Sequence, residues 1–239
     1  MNVISKSAVK FSMALLLGAS ALALAGCETS EDRQLASGQA CLDSATTSAQ
    51  ADQCVTLVQG LTSPESYLIR CSANFVAQGF TATRIASSID KVKNTGTQDQ
   101  MTGMMSFLVF ANGTSIADKK AKAQTAVDNC QQSGVRSMLR LATASNMATL
   151  IANATTVDPN STDPAGQMNS AINAFLGGAT PADKEALGAT AVTASASYCA
   201  TGSSYETTDV CTILKGAIGN GSKTNAQIAA DLIAQLQAK

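Results

Sequence analysis

The stretch CLDSATTSAQADQC, residues 41–54, begins and ends on cysteine and is rich in Ser, Thr and Ala between them. It starts at the end of one apolar helical pattern and leads into a second, in which Cys54, Leu57, Val58 and Leu61 recur at spacings of three and four. Two helical patterns separated by a short polar crossing read as an αα-hairpin, and the two cysteines are placed to staple it across its turn. The stretch CATGSSYETTDVC, residues 199–211, has the same plan: a cysteine, a Ser/Thr-rich crossing, then Cys211, Ile213, Leu214 and Ile218 on a second pattern. The two hairpins read as a distant internal repeat, or as a chance likeness between two Ser/Thr-rich segments.

Working outward, nearly every segment longer than ten residues shows helical spacing rather than strand alternation. Ser63-Pro64-Glu65 starts a helix, with Ser63 as N-cap and Pro64 at the first helical position, and Leu68, Cys71, Phe75 and Val76 form its apolar stripe up to Gly79. A helix is expected from Thr81 to Val92, with NTGTQDQ at 94–100 as a loop. Lys119–Gln132 reads as a helix stopped near Gly134, followed by one carrying Val135, Met138, Leu139, Ala142, Leu150 and Ile151. TVDPNSTDPAG at 156–166 reads as a linker, because each Pro disfavours helix at the Asp before it. Beyond it, Asp163 and Thr180-Pro181-Ala182-Asp183 open two further helices, the second with Asp in the place usually held by Glu in a capping box. The final pattern carries Ile228, Leu232 and Leu236 as a stripe. The expected fold is all-α, a compact bundle or short solenoid of about eight to ten helices with disulfide-stapled hairpins. A search for the period and signature of tetratricopeptide repeats finds neither.

Seven cysteines make an odd set. The first, Cys27, stands apart, because it follows a positively charged start (Lys6, Lys10) and the apolar run FSMALLLGASALALAG at 11–26. That arrangement reads as a cleaved export signal. Leu24-Ala25-Gly26-Cys27 resembles the lipobox of bacterial lipoproteins, in which an aliphatic residue and two small residues precede a cysteine that receives diacylglycerol and becomes the new N-terminus. The resemblance covers residues 1–27 alone. It implies lipidation of Cys27, attachment to membrane lipid through that residue, and a place in the cell envelope. Glu28 follows the cysteine, where an Asp often retains such proteins in the inner membrane, so the periplasmic face of the outer membrane is the expected location. Two or three acyl chains anchor essentially permanently, so retention needs no transmembrane segment.

With Cys27 assigned, Cys41, Cys54, Cys71, Cys130, Cys199 and Cys211 remain, an even set in an oxidising compartment. Six cysteines allow fifteen connectivities. Cys54, Cys130 and Cys211 each follow an Asp by two positions, and each is preceded along the chain by a cysteine without that context, which favours the sequential set Cys41–Cys54, Cys71–Cys130 and Cys199–Cys211. A metal site or reactive thiols are the competing reading, weakened by the lack of Cys-x-x-Cys and of any histidine. The expected organisation is a signal at 1–26, a lipidated N-terminus and tether at 27–34, of which 28–34 reaches at most about 25 Å, a helical unit at 35–155, and a second at 163–239 packed on the first.

The whole chain has a formal net charge of −1; residues 1–26 hold two lysines and no acid, so the remainder carries −3. It offers no basic stripe and few aromatics, which argues against nucleic-acid binding. Lys119, Lys120 and Lys122 read as a solvated helix face. Without histidine, Ser-His-Asp and Cys-His catalysis and His-containing zinc sites are excluded, and Ser66 lacks the spacing of a Ser-x-x-Lys pair. No enzymatic activity and no cofactor or metal is expected. One segment is odd: MTGMMSFLVFANG, 101–113, is the most apolar stretch outside the signal. It reads as a central helix buried on all sides, or as the wall of an apolar ligand pocket made by Met104, Met105, Phe107 and Phe110, since methionine adapts to varied partners. The functions these features imply are a non-catalytic structural or protein-interaction role with an envelope protein partner, or the carriage of a lipid or small apolar ligand.

Overall fold

Threonine and serine before a polar third residue set most of the helix starts. In the computed structural model, which describes residues 29–81, 97–154, 157, 163–204 and 206–238, ten α-helices and no strand occur among the described residues. They are α1 (Ser30–Ser44), α2 (Ser48–Leu57), α3 (Pro64–Ala77), α4 (Thr97–Leu108), α5 (Ile116–Gln132), α6 (Arg136–Ala152), α7 (Pro164–Gly178), α8 (Pro181–Tyr198), α9 (Asp209–Ile218) and α10 (Asn225–Gln237). Complete capping boxes begin α1 (Thr29, Asp32), α2 (Thr47, Gln50), α8 (Thr180, Asp183) and α10 (Thr224, Gln227), each satisfying backbone N–H groups that the first turn leaves without helical partners. Gly79 and Gly134 end α3 and α5 with φ of 77° and 71°, left-handed conformations that glycine reaches without steric cost.

The all-α expectation is met, and three disulfides join the sequential set. Cys41–Cys54 staples α1 to α2 across residues 45–47, and Cys199–Cys211 staples the end of α8 to α9. Cys71–Cys130 is the long-range bridge, from α3 to α5.

The helices pack largely in series, α1 on α2, α2 on α3, α3 on α5, α5 on α6, α6 on α8 and α8 on α10, giving a compact array. Helices α4 and α7 pack on each other and against α6, and α9 lies on α8 and α10. Two principal cores result. One surrounds the Cys71–Cys130 bridge and is filled by Phe75, Phe110, Val127 and Ala142, with Phe80 packed against it. There the Phe75 ring meets Phe80 and Phe110 edge-on, at centroid separations of 5.4 and 5.7 Å, a geometry that suits the ring quadrupoles. The larger core is built from Leu150, Ile151, Met168, Ile172, Phe175, Leu187, Leu214, Ile228, Leu232 and Ile233. It joins α6 to the helices beyond the 156–166 linker, so elements on both sides of that linker share one interior.

Helix α6 is the wall between the cores. Its first half gives Met138, Leu139 and Ala142 to the smaller one and its second half gives Ala148, Leu150 and Ile151 to the larger. Between them lies a buried polar row, Thr143, Ser145, Asn146 and Thr149, of which Asn146 and Thr149 bond outside α6. Asn146 Nδ2 donates to Gln124 Oε1 of α5 at 3.0 Å and to Thr190 Oγ1 of α8 at 2.9 Å, so one side chain ties three helices. The Phe110 N–H donates to Thr149 Oγ1 at 2.9 Å.

Four expectations need correcting. The tether expected at 27–34 is helical from Ser30, because the Thr29–Asp32 capping box starts α1 there. The loop at 94–100 is helical over its described part, because α4 begins at Thr97. The helix expected at Lys119 begins at Ile116, where Ser115 caps it by accepting from the Asp118 N–H. The 101–113 segment is not one helix buried on all sides: α4 ends at Leu108, and Met104 is 54% exposed. Cys27, the export signal and residues 82–92 of the helix expected from Thr81 lie outside the described residues.

Candidate functional site

The Cys199–Cys211 staple has a consequence beyond the hairpin. By holding α9 against the end of α8, it brings Val210, Ile213 and Leu214 to face Met104, Met105 and Leu108 of α4. Ala144, Met147 and Ile151, at successive turns of α6, form the floor, and Leu232 and Leu236 of α10 with Tyr198 of α8 close the ring. These side chains enclose a cavity of about 180 Å³, partly open to solvent. Its lip is apolar as well: Met104 is 54% and Val210 39% exposed.

The lining is hydrocarbon and thioether except at Tyr198, whose hydroxyl is turned to the α6 backbone and donates to the Arg140 carbonyl at 3.1 Å. Among the described residues, no acid, lysine or arginine lines the cavity. Such a lining can desolvate and sort apolar groups by size. Three methionines, Met104, Met105 and Met147, make that part of its wall adaptable.

Of the four residues that sequence reasoning assigned to an apolar pocket, Met104 and Met105 line this cavity. Phe107 and Phe110 do not. Phe110 is fully buried in the aromatic trio of the other core, because the chain leaves α4 at Leu108 and its N–H is taken by Thr149. Sequence reasoning missed Ala144, Met147, Tyr198 and Val210 as wall residues. The Met147–Ile151 spacing of four was a readable signal, whereas Val210 announces itself only through its place next to Cys211.

The carboxylates with displaced pKa are structural. The Thr29 N–H, then the Thr29 hydroxyl, holds Asp32 below the usual carboxylate range, and the Thr114 N–H with Lys122 does the same for Asp118. At Asp183 burial pushes upward, but Lys120 at 2.6 Å and the Thr180 hydroxyl and N–H outweigh it and the pKa is lowered. Each of these acids sits in the first turn of a helix, none at the cavity. Lys120 is therefore not on a free solvated face, since it bridges α5 to α8. Ser66 is buried, donates to the Ser63 carbonyl at 2.7 Å and accepts from Arg70, a structural role at the start of α3.

Among the described residues, no group of three or more His, Cys, Asp and Glu side chains is placed to hold a metal ion, and no helix is long and apolar enough to cross a membrane. No family model matches the chain, and no curated protein or solved structure is significantly similar to it.

Proposed function

We propose that this chain is a lipid-anchored, non-catalytic binding protein of the cell envelope, tethered through Cys27, whose helical body holds an apolar group in the cavity between α4, α6, α9 and α10. The observation that carries this reading is the cavity itself: about 180 Å³, walled by apolar side chains, and opening onto exposed Met104 and Val210. An engineered apolar cavity of about 150 Å³ binds benzene, so this one suits a single ring or short alkyl group rather than a whole two-chain lipid. The lipobox-like Leu24–Cys27 supports the tether and the envelope location, with the periplasmic face of the outer membrane favoured by Glu28.

The test uses the Cys27→Ser protein without residues 1–26, labelled with carbon-13 at the methionine methyls, and octan-1-ol as probe. The Met104, Met105 and Met147 methyl signals should move together and saturably, while those of Met138, in the other core, and Met168, fully buried, stay in place. Uniform movement, or none, counts against a ligand cavity.

A second reading, an interaction role in which the same cavity takes an apolar side chain of an envelope protein partner, is favoured by the exposure of Met104 and Val210 at the lip. A photo-reactive residue at position 104 in intact cells separates the two, since only the second reading gives a discrete protein adduct.

A further inference from the structure

The cavity is lined by a particular kind of apolar side chain. Six methionines lie beyond residue 26, and three of them, Met104, Met105 and Met147, line this one cavity. Met104 and Met105 stand on α4 and Met147 on α6, so thioethers meet an occupant from two helices. Tyr198 adds the one aromatic ring of the lining, and among the described residues no phenylalanine lines it. That ring is held in place: its hydroxyl donates to the Arg140 carbonyl at 3.1 Å, and the Arg140 guanidinium packs 5.5 Å from its centroid. Thioether sulfur and a fixed aromatic wall share a property that aliphatic side chains lack. Each gains more from a neighbouring π system than from a saturated group of the same size, by roughly twofold to tenfold in affinity per contact.

We propose that the natural occupant is the aromatic ring of a small uncharged molecule, a monocyclic arene with at most a short alkyl substituent, taken in preference to a saturated ring or chain of equal size. The proposal rests on the reading that the cavity takes an apolar ligand, and it names the class. Volume sets the upper limit: about 180 Å³ has room for one six-membered ring and a short substituent, since an apolar cavity of about 150 Å³ holds benzene. The lining sets the charge, because an ionised occupant would give up its water with no acid, lysine or arginine among the described lining residues to pair with it. The thioethers set the electronic character. Met104 stands exposed at the lip, so its sulfur meets a ring only at the mouth, and the half-buried Met105 and Met147 carry most of the preference.

The same methionine-labelled protein is titrated with toluene and methylcyclohexane, which share a carbon skeleton and differ in the π system. Their different hydrophobicities enter parent and variants alike, so the quantity read is the ratio of the two dissociation constants in each protein. Met105→Leu and Met147→Leu, swaps that cores tolerate well, should each lower the toluene preference by roughly twofold to tenfold. Met138→Leu, in the other core, should leave it unchanged. In the unaltered protein the ring current of toluene should displace the Met105 and Met147 methyl signals well beyond their displacement by methylcyclohexane, which tests the contact even if a variant does not fold. Equal displacement by the two probes, or a ratio unchanged in both variants, overturns the aromatic preference and leaves the apolar cavity reading standing. Tighter binding of N-acetylphenylalanine amide than of toluene overturns the small-molecule assignment in favour of an aromatic side chain of a protein partner. Failure of both hydrocarbons to bind removes the reading on which the proposal rests.

Discussion

Gly188, inside α8, faces the first residue of α10 at a distance no other side chain tolerates. A Cβ built at Gly188 would lie 1.9 Å from the carbonyl oxygen of Asn225, 2.5 Å from its carbonyl carbon and 2.7 Å from its Cα. Ordinary contact begins near 3.4 Å, so the start of α10 has to withdraw by about 1.5 Å to admit one methyl group. The obstacle is backbone, fixed by the Thr224–Gln227 capping box, and cannot swing aside as a side chain would. Withdrawal loosens the buried row Ile228, Ala229, Leu232 and Ile233 from the larger core. Overpacking of this kind costs about 1–3 kcal/mol, and here the partial exposure of two or more aliphatic side chains adds to it. Alanine's better helix propensity returns roughly 1 kcal/mol. The net expectation for Gly188→Ala is a loss of about 2–3 kcal/mol, read as a lower urea midpoint with the disulfides intact and the slope unchanged. Gly177→Ala is the control, because nothing lies within 4 Å of its added Cβ. That variant should stay within about 0.5 kcal/mol of the parent or gain slightly. A Gly188→Ala protein as stable as the parent would refute the close α8–α10 crossing.

Two further predictions concern the bridges and the acids. Replacing Cys71 and Cys130 together by alanine should cost about 4 kcal/mol against about 3 for either short bridge, because the loop it closes spans 59 residues rather than 13 or 12 and loop entropy grows with length; urea midpoints in the reverse order would show that strain or packing, not loop closure, sets the ranking. Asp183, whose folded pKa is lowered by Lys120 and Thr180, contributes stability that is fully present above the unfolded carboxylate value of about 3.9 and is lost as pH falls through the lower folded value. Asp183→Asn should therefore lower the Tm near neutrality and flatten its decline below about pH 4, and a parallel decline in both proteins would contradict the assignment.

The features legible in the sequence are those whose cause is local. Thr180-Pro181-Ala182-Asp183 opens α8 because a hydroxyl, a carboxylate and a proline within four residues satisfy or dispense with the N–H groups of the first turn, whatever the rest of the chain does. The stapled hairpins are legible for the same reason, since each pair of cysteines is separated by little more than one turn and its flanks. The Cys71–Cys130 bridge was favoured only by its Asp context and by what the other pairs left over. The 94–100 segment misled, because its polar and glycine-containing composition argues for a loop while α4 as a whole is held by packing against α7 and α6. Tertiary contact outweighs propensity at such a helix start.

Met101–Gly113 shows why apolar density alone cannot place a pocket. Its residues are apolar for three different neighbours. Met104, Met105 and Leu108 face the cavity, Val109 belongs to the larger core, and Phe110 closes the aromatic trio around the Cys71–Cys130 bridge. On a helix continued past Leu108, Val109 and Phe110 would stand about 100° and 200° round the axis from Leu108, whereas α4 ends at Leu108 and Phe110 reaches the other core. The chain unwinds after Leu108, and the Phe110 N–H is taken up by the buried Thr149 hydroxyl on α6. Thr149 and Ile151 are two residues apart, so α6 presents the hydroxyl that ends α4 and the side chain that floors the cavity α4 walls. The hydrogen bond that diverts the chain after Leu108 thus also sets where the Met104 and Met105 wall stops, and the cavity is a product of two helices solved together rather than of the methionines that first marked it.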